Sequence, residues 1–372
     1  MAEPLKNRFG PDVPVTIASM MAEAYPAFDR KTFLVDCLDG YDALELTPRA
    51  RRISDALATH LPPNRDVALG IVIDSLGDED APAGGMGPFV YLPHVYFVAE
   101  HGLDHFELAM TAQYELTKRF TAEFSIRAYL EHHRDRTLAR LRDWTRDPNV
   151  HVRRLVSEST RPRLPWAPRL KELQADPTPV IELLELLKDD PEEYVRRSVA
   201  NNLNDIAKDH PAVVIELARR WWADGDQKRR RLVRHGLRTL IKQGRPDALD
   251  VLGYGPSSPA RITSVTLTPR RLAIGEKLRI EARIENPTDT EIGALVDLRV
   301  HFVKSNGSTS PKVFKGAEVV IEPGSSATVR KTVSLAQHTT RTHYPGVHRV
   351  ELSINGATHD AGSFELVAAR QP

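Results

Sequence analysis

One cysteine, Cys37, stands in a chain of 372 residues, so no internal disulfide can form and nothing points to an oxidising compartment. Long apolar runs are missing as well. No stretch approaches the roughly 20 residues that a membrane-spanning helix needs. The opening segment "MAEPLKNRFGPDVPVTI" also lacks the apolar centre of a secretory signal. The expectation is a cytoplasmic protein without a membrane partner. Aromatic residues make up only 6%, with four tryptophans, so a tryptophan outside an apolar pattern stands out. Net charge is nearly absent too: 51 Lys and Arg face 50 Asp and Glu. The charges are unevenly placed, at about −9 over residues 1–110, about +6 over 111–256 and about +4 over 257–372. That asymmetry suits a polyanion partner for the later segments.

At this length one ordinary core does not suffice, and two or three domains are expected. Residues 1–255 read as helical. "HFELAMTAQYELTKRFTAEFSIRAYLEHH" carries apolar residues at helical spacing, and its part "LTKRFTAEFSIRAYLEHH" (116–133) is expected as a long helix. "PTPVIELLELLKDD" begins with prolines and a Leu-rich face, and "HPAVVIELARRWWADG" ends on Gly225. The helices repeat. "DPNVHVRRLVSES" (147–159) aligns with "DPEEYVRRSVANN" (190–202) at a shift of 43 residues, and "KRRRLVRHGLRTL" (228–240) is a looser third copy. An Asp-Pro turn followed by a Val-Arg-Arg helix at this period resembles HEAT repeats, whose helix pairs stack into a solenoid.

After the Gly/Pro/Ser segment "GYGPSSPA" (253–260) the pattern changes to alternation. About seven short strands, from "ARITSVTLTP" to "AGSFELVA", fit an immunoglobulin-like β-sandwich over residues 256–372 without the antibody disulfide or its packing tryptophan. The fold class is therefore multidomain, an all-α HEAT-like solenoid followed by an all-β sandwich.

Helical spacing places Arg154 and Glu158 on one helix face, and Arg197, Asn201 and Asp205 on the equivalent face of the next repeat. Arg231, His235 and Thr239 occupy it in the third copy. Glu123 and Arg127 form a further acid–base pair upstream. Such pairs are usually solvated surface decoration, and about half of the arginines are expected to stitch repeats together. Three carboxylates on equivalent faces, beside Trp166 in the Pro-rich loop "RPRLPWAP", argue for more than decoration. The run "DQKRRRLVRHGLR" suits contacts to successive phosphates. Candidate contacts to a polyanion are Arg154, Arg161, Arg163, Arg197, Lys228, Arg230, Arg231 and Arg234.

"LTKRFTAEFSIR" (116–127), "VRRLVSESTRPRLPWAP" (152–168) and "VRRSVANNLNDIAKDHP" (195–211), in this order, resemble the AlkC-type DNA alkylation repair glycosylases, HEAT-like repeat proteins related to the AlkD type. The resemblance implies excision of cationic N-alkylated bases such as 3-methyladenine and 3-methylcytosine from double-stranded DNA, by a monomer without cofactor or metal and without a deep base-flipping pocket. A cationic base is already a good leaving group. What remains is to stabilise an oxocarbenium-like sugar and position a water, which carboxylates can do. Glu123, Glu158 and Asp205 match the family's acidic set. Trp166 matches an aromatic that packs on the deoxyribose, and Arg154 matches a residue that anchors the backbone beside the lesion.

Other features carry less. His101 and His105 in "EHGLDH" are four apart but lack a third metal ligand. "PAGGMGP" (82–88) lacks the Lys-Ser/Thr of a phosphate loop. Trp221 and Trp222 read as packing residues. A non-catalytic repeat scaffold, or a protein that binds distorted DNA without cutting it, are the rival readings.

Overall fold

The structure, a computed structural model, describes residues 5–79, 87–254, 259–337 and 342–368. Most of the "PAGGMGP" segment and the middle of "GYGPSSPA" lie outside them. The described residues hold 17 α-helices followed by eight strands. Among them no helix is long and apolar enough to cross a membrane. The chain forms two compact units, Met1–His210 and Pro211–Pro372. The change from helix to strand falls after Tyr254, as the composition suggests, whereas the unit boundary falls earlier, after His210.

In the first unit the repeat alignment is physical. Asn149 caps the helix Val150–Ser159 by accepting from the backbone N–H of His151 (2.8 Å) and Val152 (3.4 Å). Val152, Leu155 and Val156 turn inward. The helix Glu193–Ile206 packs beside it, burying Val195 and Val199 at the aligned positions of Val152 and Val156. A polar seam joins the two: Ser157 Oγ donates to Ser198 Oγ (2.8 Å), and Asn202 Nδ2 donates to the Ser157 carbonyl (2.8 Å).

The paired arginines of the repeat divide their labour. Arg153 reaches both oxygens of Asp190 in the next repeat's turn (2.7 and 3.2 Å) and the carbonyls of Asp147 and Pro148 (2.9 and 3.0 Å). Its aligned partner Arg196 donates to the Asp190 carbonyl. The first arginine of each pair thus stitches turns together. The second, Arg154 or Arg197, is left for other work.

One expectation fails here. The long helix predicted over 116–133 is broken: one helix, Phe106–Arg119, ends within it and another, Ser125–His132, begins. Phe120 leaves helical geometry at φ −142°, ψ −107°. Thr121 then accepts from the Glu123 N–H at 3.3 Å, the local side-chain bond by which threonine competes with a helix. Glu123 therefore sits in a turn, and it does not share a helix face with Arg127.

In the second unit the helices Pro211–Ala223, Gln227–Gly236, Arg238–Lys242 and Pro246–Val251 precede the sandwich. Trp221 is buried as packing, and Trp222 is half-buried. The sandwich strands are β1 (Arg261–Thr268), β2 (Arg271–Ala273), β3 (Lys277–Glu285), β4 (Ile292–Val303), β5 (Thr309–Ile321), β6 (Ser326–Ser334), β7 (Gly346–Ile354) and β8 (Ala357–Val367). One sheet orders them β1-β3-β6 and the other β2-β8-β7-β4-β5. Strand β3 shows the alternation most cleanly, with Leu278, Ile280, Ala282 and Ile284 all inward. The strand missed from sequence is β2. Its three residues are too few to display a period, and only its parallel pairing with β8 makes it a strand.

Candidate active site

Six charged groups of the first unit alternate in sign. Arg154 Nη1 lies 2.6 Å from Glu123 Oε2, and its Nη2 lies 3.6 Å from Glu158 Oε2. Arg161 Nη1 binds Glu158 Oε1 at 2.6 Å, while its Nε binds Asp205 Oδ2 at 2.8 Å. Lys208 Nζ closes the series on Asp205 Oδ1 at 2.8 Å. Three carboxylates are thus held by three cations, and the cluster is formally neutral. Burying acids at this density is tolerable only with such pairing.

Hydroxyls complete the acceptor needs of the acids. Ser198 Oγ donates to Glu158 Oε2 at 2.6 Å, and Thr121 Oγ1 donates to Glu123 Oε2 at 3.0 Å. Glu158 is 6% exposed and Asp205 only 2%. Burial works against the Arg161 cation, but Glu158 and Asp205 overcome it and hold its pKa above the ordinary arginine value.

Glu123, Glu158, Arg161 and Trp166 line one cleft of about 650 Å³, with Tyr96, Phe120 and Phe124 among the rings of its apolar wall. Asp205 lies behind Arg161 and does not line it. Trp166 is 80% exposed and has φ +66°, a left-handed conformation that is uncommon for a bulky residue and marks a position held by its surroundings. The holding group is Arg127. Its guanidinium donates to the carbonyls of Ser159 (3.1 Å), Arg161 (2.7 Å) and Pro168, gripping both ends of the loop that carries Trp166. Burial pulls the Arg127 pKa down to about 10. The expected Glu123–Arg127 pair is replaced by Glu123–Arg154, because the break after Arg119 turns Glu123 away from the Arg127 helix face.

The candidate DNA contacts separate into two groups. Arg161, at 9% exposure, is engaged by Glu158 and Asp205, and Arg163 is held by Asp209 through two bonds of 2.9 and 2.6 Å. Both are internal struts of the loop, not open cations. Arg154 is half-buried against the acids, and Arg197 is exposed. In the second unit Lys228, Arg230 and Arg231 are exposed, with the Arg230 guanidinium 5.4 Å from the Trp222 ring centre. Arg234 is bound by both oxygens of Glu318. With Arg231, Lys242 and Lys315 it lines a second cleft of about 550 Å³.

The two histidines considered as a metal pair diverge. His101 faces Asp55 at 3.7 Å, whereas His105 binds Asp66 at 2.6 Å. Sequence reasoning missed Ser198, Lys208, the Arg127 clamp and the aromatic wall. Ser198 and Lys208 carry a usable signal, lying three residues before Asn201 and three after Asp205. The wall residues come from separate helices and turns, so no local period announces them.

Comparison with known proteins agrees with this architecture. Residues 119–240 match the family described as "DNA alkylation repair enzyme", and residues 261–368 match "Uncharacterised protein YhaZ, C-terminal Ig-like domain". The chain is 33% identical over 363 residues to "Uncharacterized protein YhaZ" of Bacillus subtilis (strain 168), covering 97% of this chain and 99% of that protein. It superposes with a TM-score of 0.85 and 37% identity on the Pseudomonas fluorescens alkylpurine DNA glycosylase AlkC bound to DNA containing an abasic site analog, covering 98% of this chain and 100% of the other. The chain belongs to the AlkC-type family of DNA alkylation repair enzymes and carries a YhaZ-type C-terminal immunoglobulin-like domain.

Proposed function

We propose that this protein is a DNA glycosylase that removes cationic N-alkylated bases, 3-methyladenine and 3-methylcytosine, from double-stranded DNA. The observation that carries the reading is the convergence of Glu123, Glu158 and Trp166 on one cleft beside Arg154. Alkylation gives the base a positive charge, so the C1′–N bond breaks with its electron pair leaving on the base, which departs neutral. The sugar is left cationic at C1′. Fixed carboxylates nearby stabilise that charge, and one of them orients the water whose oxygen bonds to C1′ as its proton passes to a carboxylate. The π face of Trp166 favours the same charge.

Asp205 acts through its neighbours in this scheme. It faces Arg161, which in turn fixes Glu158, so its part is to hold the acid in place. Arg154 is the cation able to meet a backbone phosphate, exchanging Glu123 for the DNA. Because Trp166 stands 80% exposed while lining the cleft, it suits a sugar presented from outside better than a base drawn into a deep pocket. Exposed Arg197, Lys228, Arg230 and Arg231 supply further phosphate contacts, which makes affinity fall steeply with salt.

The test is incubation of the full chain with a methylated duplex, then alkaline strand cleavage and chromatography of released bases. Free 3-methyladenine and 3-methylcytosine with matching strand breaks are expected. Tight binding with neither product would leave a damaged-DNA binder, and absence of both binding and release would leave a scaffold.

A further inference from the structure

Tyr194 lies four residues before Ser198 and eleven before Asp205 in the helix Glu193–Ile206, so all three share one helix face. That face meets the site through Ser198, which donates to Glu158, and Asp205, which accepts from Arg161. Tyr194 is 46% exposed. Among the described residues, it and Trp166 are the only exposed Phe, Tyr or Trp side chains, and both stand at the acids. Core packing does not explain it, because the apolar work of this helix is done by Val195, Val199, Leu203 and Ile206. Its surroundings are cationic and aromatic. The Arg154 guanidinium carbon lies 5.5 Å from its ring centre, and the His151 ring meets it edge-on at 5.7 Å. Exposed Arg197 lies three residues further on. Tyr194 does not line the 650 Å³ cleft, so its ring is a separate surface from that of Trp166.

We propose that Tyr194 is a stacking platform for an unpaired or unstacked nucleobase of the bound DNA, next to or opposite the damaged nucleotide. The inference rests on the glycosylase reading above. For the acids to reach a sugar, the base stack must open at the damaged nucleotide, and a neighbouring or opposing base then loses a stacking face. An aromatic ring replaces that face without reading sequence, since every base offers a π surface. Arg154 and Arg197 flank it as phosphate contacts, which position a strand without specifying it.

The experiment uses the full chain and duplexes containing an abasic-site analogue, with 2-aminopurine placed opposite, 5′ or 3′ to it in three separate substrates. 2-Aminopurine is bright when free in water and dark when stacked. In complex with the wild-type protein one position is expected to be quenched. Tyr194→Leu should raise its emission severalfold and weaken binding on the order of tenfold, while Tyr194→Phe should keep the quench. Which position responds tells whether the base is the opposing one or a neighbour. If wild type and Tyr194→Leu give the same emission at all three positions, Tyr194 only props Arg154 and the proposal is wrong. Base release by the same wild-type preparation is measured in parallel. Release without any stacking signal overturns the platform alone, whereas a stacking signal without release overturns the glycosylase reading.

Discussion

Replacing Glu158 by glutamine removes one charge from the alternating cluster and little else. In the wild type one carboxylate oxygen receives Arg161 at 2.6 Å and the other receives Ser198 at 2.6 Å. A glutamine carbonyl can keep Arg161, and its amide can face Ser198, whose hydroxyl is able to accept. The structural loss is the charge assistance of one buried bond, about 1–2 kcal/mol, because Arg161 retains Asp205. In a unit of this size that lowers Tm by roughly 3–6 °C. DNA affinity should hold or improve slightly, since a negative charge near the phosphates is gone while Arg154 stays available. The chemical step is another matter. If the charge stabilises a cationic sugar, single-turnover release of 3-methyladenine at saturating enzyme should slow by roughly 100-fold or more, about 2.7 kcal/mol of transition-state stabilisation. Thermal melting and a binding titration are run first, so that a slow rate in a folded, DNA-bound protein is assigned to chemistry. Release within about twofold of wild type would refute the assignment of this carboxylate.

The remaining acids should separate by position. Glu123→Gln, in the turn, should cost rate with little stability, whereas Asp205→Asn should lower Tm more than either, because it leaves Lys208 and Arg161 short of a buried partner; thermal melts beside single-turnover rates check both. The Arg163 hydrogen bond pulls the Asp209 pKa from the ordinary 3.8 to about 2, so the folded state holds its proton less tightly than the unfolded chain. The resulting stability, about 1 kcal/mol after allowing for partial exposure, is present above pH 4 and is lost as pH falls towards 2. The stability gap between wild type and Asp209→Asn should therefore close over that window, and a gap unchanged by acid would deny the pairing. Finally, a chain ending at 210 should stay soluble and folded, whereas one ending at 255 should be less stable in its last 45 residues. That cut removes Glu318 from Arg234 and Tyr254, and Gly356 from its close approach to Gly244 and Leu249. Hydrogen exchange over residues 211–255 reads the difference.

Much of this protein was legible in its sequence because the signals are local. A period near 3.6 separates the helical part from the alternating strands, and the 43-residue repeat of the Val-Arg-Arg helix aligns Val152 with Val195 before any fold is seen. The helix stripe and the Pro-rich loop singled out Glu158, Asp205 and Trp166. What the sequence could not decide is which way a charged side chain is used. Arg153 and Arg154 are neighbours of identical chemistry, yet one stitches the repeat to Asp190 and the other meets Glu123. Arg161 and Arg163 read as open cations in a loop, but Asp205 and Asp209, more than 40 residues away, draw them inward. The helix break at Phe120, the three-residue strand β2 and the Arg127 grip on the Trp166 loop were hidden for the same reason. Helix and strand periods follow from steric preferences within a few residues. The partner of a buried charge is set only when distant segments pack and exclude water, and that is a property of the tertiary structure.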